Sequence, residues 1–406
     1  MRYIKNTIDK YDIQKMFMII MFSLIFIWII LWLIDPLGLQ LNVFFLKTDN
    51  FFADFFNVMI YVSDNDIYHN TINGLGQKIY FPLTYMFMDI FSGFEDFSVL
   101  DLYNCYSKPH AMMACLIFTY LSITVYLYSL NKLVKLNSTQ TLIIAFSSVF
   151  LFTIERGNPI MIAAAFSFFF LAYKDHKNFI IRRFALLCLC LAVVLKGYPV
   201  LFGLYLLYEK KYKDILICTV FTSLLVILPF LYFEHGFANI PQLISNVQEH
   251  NNAYQTSIYP RYGMVVFTQI FKPLFGNEIY ILSFYVAKYI MYIMAIISVL
   301  LFFKIKTEWK RLALLSLIIA SIPSDNGFYC GIYIIPALIL FLNNNDGRKI
   351  DYVYMLLFCV FLNPIQMEFK GYAISWMFSN LALLVMWLLL IIDSYQILQK
   401  KIILLN

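Results

Sequence analysis

Asp54 is the residue whose type and neighbours best suit acid–base chemistry. Phe52 and Phe55 stand on either side of it in an aromatic run at 51–56. A carboxylate that loses water to aromatic neighbours becomes a stronger proton acceptor, as a general base must be. The same spacing fits a solvated acid on an amphipathic helix, so a purely structural role stays open. Asp54 belongs to the segment 35–110, whose mixture of acidic and apolar residues predicts a position at a membrane surface.

Two cations, Arg156 and Lys196, each stand between two apolar runs. An unpaired cation is costly in such a place, so each needs a partner. We interpret the pair as binding a lipid-linked phosphate. The alternative is a structural ion pair, for example between Arg156 and either Glu155 or Asp325.

The residues after Arg156 favour the phosphate interpretation. Gly157 would let a ligand approach the backbone closely, and Pro159 suits the first turn of a following helix. Free N–H groups at a helix start can bind an anion. We therefore assign Asn158, with Arg156 and Lys196, to phosphate binding.

A second acidic group lies in Ser63-Asp64-Asn65-Asp66. Asp64 and Asp66 fit a turn, and they also fit a weak cation site. The sequence does not decide whether Asp54 or Asp66 is the base.

The segment 234–278 is rich in amides and tyrosines, which suit the hydroxyl groups and ring faces of sugars. Glu249, His250 and Arg261 are its candidate sugar-binding residues. Such residues are also common in ordinary loops.

Composition identifies the class of protein. Of the 406 residues, 62% are hydrophobic and 13% are charged, against roughly 25% charged in a soluble domain. The chain is therefore predicted to be an all-α polytopic membrane protein. No pair among its seven cysteines has metal-ligand spacing, and we expect no metal and no cofactor. The net charge of +6 is explained by membrane topology, so no nucleic-acid partner is expected.

Apolar runs bounded by charges predict about twelve membrane spans. They lie near 16–34, 111–130, 141–154, 158–173, 184–195, 198–208, 214–233, 279–303, 312–322, 328–342, 351–363 and 375–392. Several are shorter than the roughly 20 residues that cross hydrocarbon. Two further helices, near 51–62 and 80–91, are predicted to lie at the interface. We treat residues 1–406 as one integral membrane domain.

Lys and Arg collect in alternate connecting segments, which orients the chain. This distribution predicts both termini in the cytoplasm and the first apolar run as a retained span. The segments 35–110 and 234–278 are then the two large outer loops, and the candidate site residues share the outer side.

Four patches resemble one known family. They are Ala53-Asp54-Phe55 with Asp66-Ile67-Tyr68 and Tyr80-Phe81-Pro82-Leu83, then Glu155-Arg156-Gly157-Asn158-Pro159, then Val194-Leu195-Lys196-Gly197-Tyr198-Pro199, and finally Ile322-Pro323-Ser324-Asp325-Asn326-Gly327-Phe328-Tyr329. In this order they resemble the GT-C-fold membrane glycosyltransferases, and within them the bacterial polyprenol-phosphate-sugar-dependent enzymes of glycosyltransferase family 87.

The resemblance implies a GT-C-like fold and a catalytic base at Asp54. It also places candidate sugar-binding residues at Asp66, Tyr68, Tyr80, Asp325 and Tyr329. Two departures stand out, because Asn158 replaces the usual glutamine and Tyr80-Phe81-Pro82 replaces a tyrosine followed by two prolines. The donor sugar and the acceptor are therefore not carried over from the family.

The expected activity is transfer of a single sugar from a polyprenyl-phosphate carrier to a hydroxyl of a glycan or glycolipid, with inversion. The expected location is the outer, periplasmic face of a bacterial inner membrane. Abundant Ile, Phe, Asn and Lys indicate an AT-rich gene, which favours O-antigen or other surface-polysaccharide modification. The alternatives are an O-antigen-type polysaccharide polymerase and a flippase or transporter of lipid-linked sugars.

Overall fold

The computed structural model describes residues 2–36, 38–40, 52–255, 261–323, 327–369 and 372–405. These residues are almost entirely helical. The α-helices, in chain order, are α1 (Arg2–Ile34), α2 (Ala53–Val62), α3 (Pro82–Asp89), α4 (Leu102–Ser107), α5 (Pro109–Val134), α6 (Ser138–Ala145), α7 (Ser148–Arg156), α8 (Ile160–Tyr173), α9 (Phe179–Leu195), α10 (Leu204–Tyr208), α11 (Tyr212–Ile227), α12 (Asn239–Gln255), α13 (Phe271–Phe302), α14 (Glu308–Ser321), α15 (Ile335–Asn344), α16 (Lys349–Leu362) and α17 (Ile374–Leu405).

Short 3₁₀ helices join several of these elements. They cover Leu75–Gln77, Ser92–Phe94, Phe97–Val99, Tyr198–Gly203, Leu228–Tyr232, Gly236–Ala238, Met264–Ile270 and Phe328–Tyr333. Among the described residues, the only strands form one antiparallel pair, β1 (Glu368–Phe369) and β2 (Tyr372–Ala373), with Glu368 opposite Ala373.

Five helical segments are long and apolar enough to cross a membrane. They are Ile13–Ile34, Pro109–Val134, Tyr212–Tyr232, Leu274–Phe302 and Ile374–Ile397. The bent pair α6 and α7 adds a sixth if it counts as one span. An all-α polytopic membrane protein is confirmed, whereas the count of twelve spans is not. The other segments that were predicted as spans are helical, but they are shorter than the roughly 20 residues that cross hydrocarbon. Hydropathy alone does not separate a short buried helix from a spanning one.

The chain packs as two compact units. The terminal unit comprises Met1–Phe44, Leu136–Phe152 and Ile258–Asn406, and the central unit comprises Phe45–Lys135 and Thr153–Ser257. The single integral membrane domain stays a prediction.

In the central unit, α8 packs against both α5 and α9, and α9 packs against α11. Buried Ala163, Ala164 and Ala165 on α8 have small side chains, which let neighbouring helices approach closely. Helices are present at the two predicted positions as α2 and α3, with 10 and 8 residues, both too short to span a membrane. Their position at the interface stays a prediction.

In the terminal unit, α1 packs against α6, α15 and α16, while α14 and α16 pack against α17. One ion-pair cluster connects three of these helices. The wholly buried Lys310 on α14 donates to Asp393 on α17 at 2.5 Å, and Arg348, just before α16, donates to the same carboxylate at 2.8 and 3.0 Å. Buried charges are tolerated when they are paired in this way.

Candidate active site

Helix α2 places Asp54 at the edge of an aromatic core. Phe55 and Phe56 are fully buried. Asp54, in the first turn of the helix, keeps 17% of its side chain exposed. The start of the helix is fixed by a backbone hydrogen bond, in which Phe52 N–H donates to the Glu155 carbonyl at 2.8 Å. This bond brings the start of α2 beside the end of α7.

The connection between α7 and α8 presents two more polar side chains. Arg156 ends α7, and Gly157 follows with a φ of +63°. A Cβ at Gly157 would lie 2.9 Å from Phe55 Cβ, so both the backbone angle and the close approach require glycine. Asn158 Oδ1 accepts the Ile160 N–H at 3.0 Å, which fixes the orientation of its amide.

Both oxygens of Asp54 accept hydrogen bonds from this connection. Arg156 Nη2 donates to Oδ1, and Asn158 Nδ2 donates to Oδ2 at 2.7 Å. Hydrogen bonds that involve an ionised group are shorter and stronger than neutral ones. The sequence offered Glu155 or Asp325 as structural partners for Arg156, and the structure pairs it with Asp54.

Tyr80 extends the network to the second cation. Its hydroxyl oxygen lies 3.3 Å from Asn158 Nδ2 and accepts a hydrogen bond from Lys196 Nζ at 3.0 Å. Lys196 Nζ also lies 4.5 Å from the centre of the Tyr80 ring, an additional cation–π contact. These two donors occupy the lone pairs of the phenol oxygen, which leaves its own proton to donate elsewhere.

Buried groups behind Tyr80 fix its position. The Tyr68 hydroxyl donates to the Tyr80 carbonyl at 3.0 Å. Burial raises the pKa of Tyr68 well above its ordinary value, so its phenol stays protonated and donates. Thr84 on α3 donates to the Val194 carbonyl near the end of α9 at 3.0 Å. The segments that carry Tyr80 and Lys196 are thus tied together.

The structure therefore joins Asp54, Arg156, Asn158 and Lys196 through Tyr80 into one half-buried network. Its cations outnumber its carboxylate, so the network can hold an anion beside a proton acceptor. This combination suits a displacement in which a hydroxyl loses a proton and a phosphate departs.

The other predicted sugar-binding residues of the central unit occupy neighbouring loops and α12. Asp66 lies 2.7 Å from His69 Nδ1 in the loop after α2. Tyr68 is buried, and Glu249 is exposed on α12. His250 Nδ1 lies 2.7 Å from the Gly76 carbonyl oxygen.

Three of the predicted sugar-binding residues do not belong to the central unit. Arg261 is buried and forms an isolated backbone bridge with Gly327 in the terminal unit. Tyr329, in the same unit, is buried with its ring stacked on Phe152 at 6.3 Å. Asp325 lies outside the described residues.

The central unit also contains an apolar cavity of about 480 Å³, which the sequence did not predict. Its walls come from α9, the 3₁₀ segment Tyr198–Gly203, α10 and α11, and they include Leu189, Val193, Val200, Leu204 and Val226. The 3₁₀ segment begins two residues after Lys196. The signal for the cavity was weak, namely the short, broken helices at 184–208.

The family model described as glycosyltransferase family 87 matches residues 106–324, more than half of the chain. The match includes Arg156, Asn158 and Lys196, whereas Asp54 and Tyr80 precede it. No curated protein and no solved structure matches the chain. The GT-C-like fold therefore stays a prediction.

Proposed function

Because the chain belongs to glycosyltransferase family 87 and is a membrane glycosyltransferase, we propose that its donor is a single sugar carried on a polyprenyl phosphate. The acceptor in this proposal is a hydroxyl of a glycan or glycolipid. The observation that carries the proposal is the network in which Asp54, Arg156 and Lys196 are joined through Asn158 and Tyr80.

Asp54 is the proposed general base. It takes the proton of the acceptor hydroxyl as that oxygen attacks the anomeric carbon, which becomes bonded to the acceptor. The bond from the anomeric carbon to the phosphate oxygen breaks, and its electron pair leaves with the polyprenyl phosphate. One direct displacement inverts the anomeric carbon.

Arg156 and Lys196 are the proposed phosphate ligands. Negative charge grows on the phosphate as the bond breaks, and a fixed cation stabilises that state more than the bound donor. The pairing of Arg156 with Asp54 describes a resting site in this proposal. An arriving phosphate draws the guanidinium away and leaves a carboxylate oxygen to accept the proton.

The apolar cavity supports a lipid-linked donor. Val200 and Gly203 line it, and both lie on the 3₁₀ segment that follows Lys196. A polyprenyl chain lying between α9 and α11 would thus leave its phosphate near that lysine. Burial of each methylene group contributes ~0.8 kcal/mol, so the chain supplies binding energy that the small polar head cannot.

The proposed reaction takes place on the outer, periplasmic face of a bacterial inner membrane, with both termini in the cytoplasm. The distribution of Lys and Arg along the chain supports this orientation. Asp66, Tyr68, Glu249, His250, Arg261, Asp325 and Tyr329 remain candidate sugar-binding residues. Modification of O-antigen or another surface polysaccharide is the proposed context.

The decisive experiment incubates the purified protein with a panel of polyprenyl-phosphate sugars and follows transfer of labelled sugar. Asp54→Asn should lower turnover by about 10²–10⁴-fold, the usual contribution of a general base. Donor binding should persist. Asp101→Asn is the matched control, because Asp101 caps α4 by accepting the Asn104 N–H, and asparagine caps a helix equally well.

The size of the product and the loss of activity separate the alternatives. Addition of a single sugar supports the proposal, whereas chain lengthening indicates a polymerase. Movement of lipid-linked sugar across a bilayer without transfer indicates a flippase. Wild-type turnover in Asp54→Asn would remove Asp54 from the mechanism.

A further inference from the structure

Two histidines and one aspartate converge on the surface of the central unit. Asp66 and His69 lie in the loop after α2, and His235 lies 166 residues further along the chain, after the 3₁₀ segment Leu228–Tyr232. His69 Nδ1 is 2.7 Å from Asp66 Oδ1, and His235 Nε2 is 3.7 Å from Asp66 Oδ2. The two imidazole rings meet edge to face at 5.2 Å.

The spacing of these atoms suits one metal ion. One ligand atom from each residue can be chosen so that all three lie within 4.8 Å of one another. An ion bound about 2.0–2.2 Å from each atom holds its ligands about 3–3.5 Å apart. Small side-chain rotations would bring the three atoms to those distances. The side chains keep 31–49% of their surface exposed, so an ion can enter and water can complete its coordination.

The types of ligand select the class of metal. Imidazole nitrogen binds zinc and similar first-row ions well, whereas Mg²⁺ and Ca²⁺ prefer sites made of oxygen. Two histidines with one carboxylate is a three-ligand set that leaves positions for water. The ligand set therefore favours a divalent transition-metal ion over an alkaline-earth ion.

The backbone around the cluster is already fixed. His235 adopts the left-handed conformation, with a φ of 66°, which is uncommon for residues other than glycine, although histidine adopts it more often than most. Asn239 Nδ2 donates to the Glu234 carbonyl at 2.6 Å, next to His235. On the other side, Asp66 N–H donates to Asp64 Oδ1 at 2.9 Å. Both segments thus present their ligands before any ion arrives.

The cluster also joins two segments that pack on the same aromatic residue. Tyr68 lies between Asp66 and His69 in the chain, and its ring contacts Phe230 at 5.7 Å and Phe233 at 6.2 Å. An ion across Asp66, His69 and His235 would therefore hold the loop after α2 to the segment before α12.

We propose that Asp66, His69 and His235 form a structural site for a divalent transition-metal ion such as Zn²⁺. The ion cross-links the two segments and stabilises the central unit. None of the three ligands belongs to the network of Asp54, Arg156, Asn158, Tyr80 and Lys196, and no step of the proposed transfer uses a metal.

The test uses the full chain, purified through a tag without histidine and stripped of metal with a chelator. Zn²⁺ titrated by calorimetry should bind to one site per chain, and Co²⁺ should give the visible absorption bands of nitrogen and oxygen ligation. His69→Gln and His235→Gln should each weaken Zn²⁺ binding by more than about 100-fold, because loss of outer partners alone costs about 10–100-fold.

His110→Gln is the matched control, because His110 is exposed at the start of α5 and lies outside the cluster. It should bind Zn²⁺ as the wild type does. Zn²⁺ should raise the thermal midpoint of the wild type and of His110→Gln, but not of the double variant His69→Gln, His235→Gln. Mg²⁺ should leave the thermal midpoint of all three proteins unchanged.

Two results would overturn the proposal. One is a stripped wild-type protein that does not bind Zn²⁺, which would leave the three residues as a hydrogen-bonded surface cluster. The other is equal Zn²⁺ affinity in the wild type and the double variant. Both results are independent of sugar transfer, so they do not depend on the proposed function.

Discussion

Replacing Tyr80 by phenylalanine tests how the second cation is held. The change removes the hydroxyl oxygen that accepts from Lys196 Nζ at 3.0 Å and lies 3.3 Å from Asn158 Nδ2. It keeps the ring, and with it the cation–π contact at 4.5 Å. Tyr80→Phe therefore leaves Lys196 near the network but removes one of the contacts that orient its ammonium group.

The expected loss of rate follows from the strength of a hydrogen bond that involves a charged group. Such a bond contributes about 1.5–3 kcal/mol, and each 1.36 kcal/mol corresponds to about tenfold in rate. Lys196 is half-buried, so water replaces part of the lost interaction and the lower value applies. We expect kcat to fall about tenfold. The KM for the donor should change little, because the ring contact persists. Tyr80→Leu removes the ring as well and should raise that KM by about 2–5-fold, from a cation–π contact of 0.5–1 kcal/mol.

The assay measures initial rates of sugar transfer over a range of donor concentrations. Tyr103→Phe is the control, because Tyr103 is an exposed tyrosine on α4. If Tyr80→Phe retained the wild-type kcat while Lys196→Met lost activity, the hydroxyl of Tyr80 would not position the lysine.

Three further predictions concern single positions. Gly157→Ala should lower the free energy of unfolding by about 1–3 kcal/mol, because of the left-handed backbone and the contact with Phe55, as measured by thermal unfolding in detergent. Gly203→Leu should fill the apolar cavity and raise the KM of a long-chain donor about tenfold, the equivalent of two methylene groups at ~0.8 kcal/mol each. Burial lowers the pKa of Lys78 from its ordinary 10.5 to about 8. Between pH 8 and 10.5 the unfolded chain therefore binds more protons at Lys78 than the folded chain does. The free energy of unfolding should rise with pH over this range in the wild type but not in Lys78→Met.

Each of these predictions has a result that contradicts it. Unchanged stability in Gly157→Ala would mean that the connection between α7 and α8 relaxes without cost. An equal rise in KM for a short-chain donor analogue would show that Gly203→Leu disturbs the polar site and does not act on binding of the lipid chain. If the difference in the free energy of unfolding between wild type and Lys78→Met did not change from pH 8 to 10.5, the pKa of Lys78 would not be lowered in the folded chain.

The sequence by itself determined the class of the protein and the approximate positions of most of its apolar helices, but α12 lies in a segment that was predicted as an outer loop. Hydropathy and charge act over short stretches of chain, so they identified an all-α membrane protein without information about distant contacts. The helices α2 and α3 were predicted for the same reason. Asp54, Arg156 and Lys196 stood out locally, because each is a charge beside apolar residues. The order of the motifs predicted the family, and the family match confirms it.

The tertiary structure decided which of these charges meet. The sequence offered Glu155 and Asp325 as partners for Arg156, whereas the backbone bond from Phe52 to Glu155 brings Asp54 to it. The number of long spans also depended on the structure, because short apolar helices become buried by neighbours that hydropathy does not see. The apolar cavity had only the weak signal of the short, broken helices at 184–208. The sequence marked Asp66 as a weak cation ligand but did not place His69 and His235 beside it. The cluster arises where segments far apart in sequence are packed together, and the cavity arises from how the consecutive elements α9 to α11 pack. Both depend on side-chain shape, which hydropathy does not record.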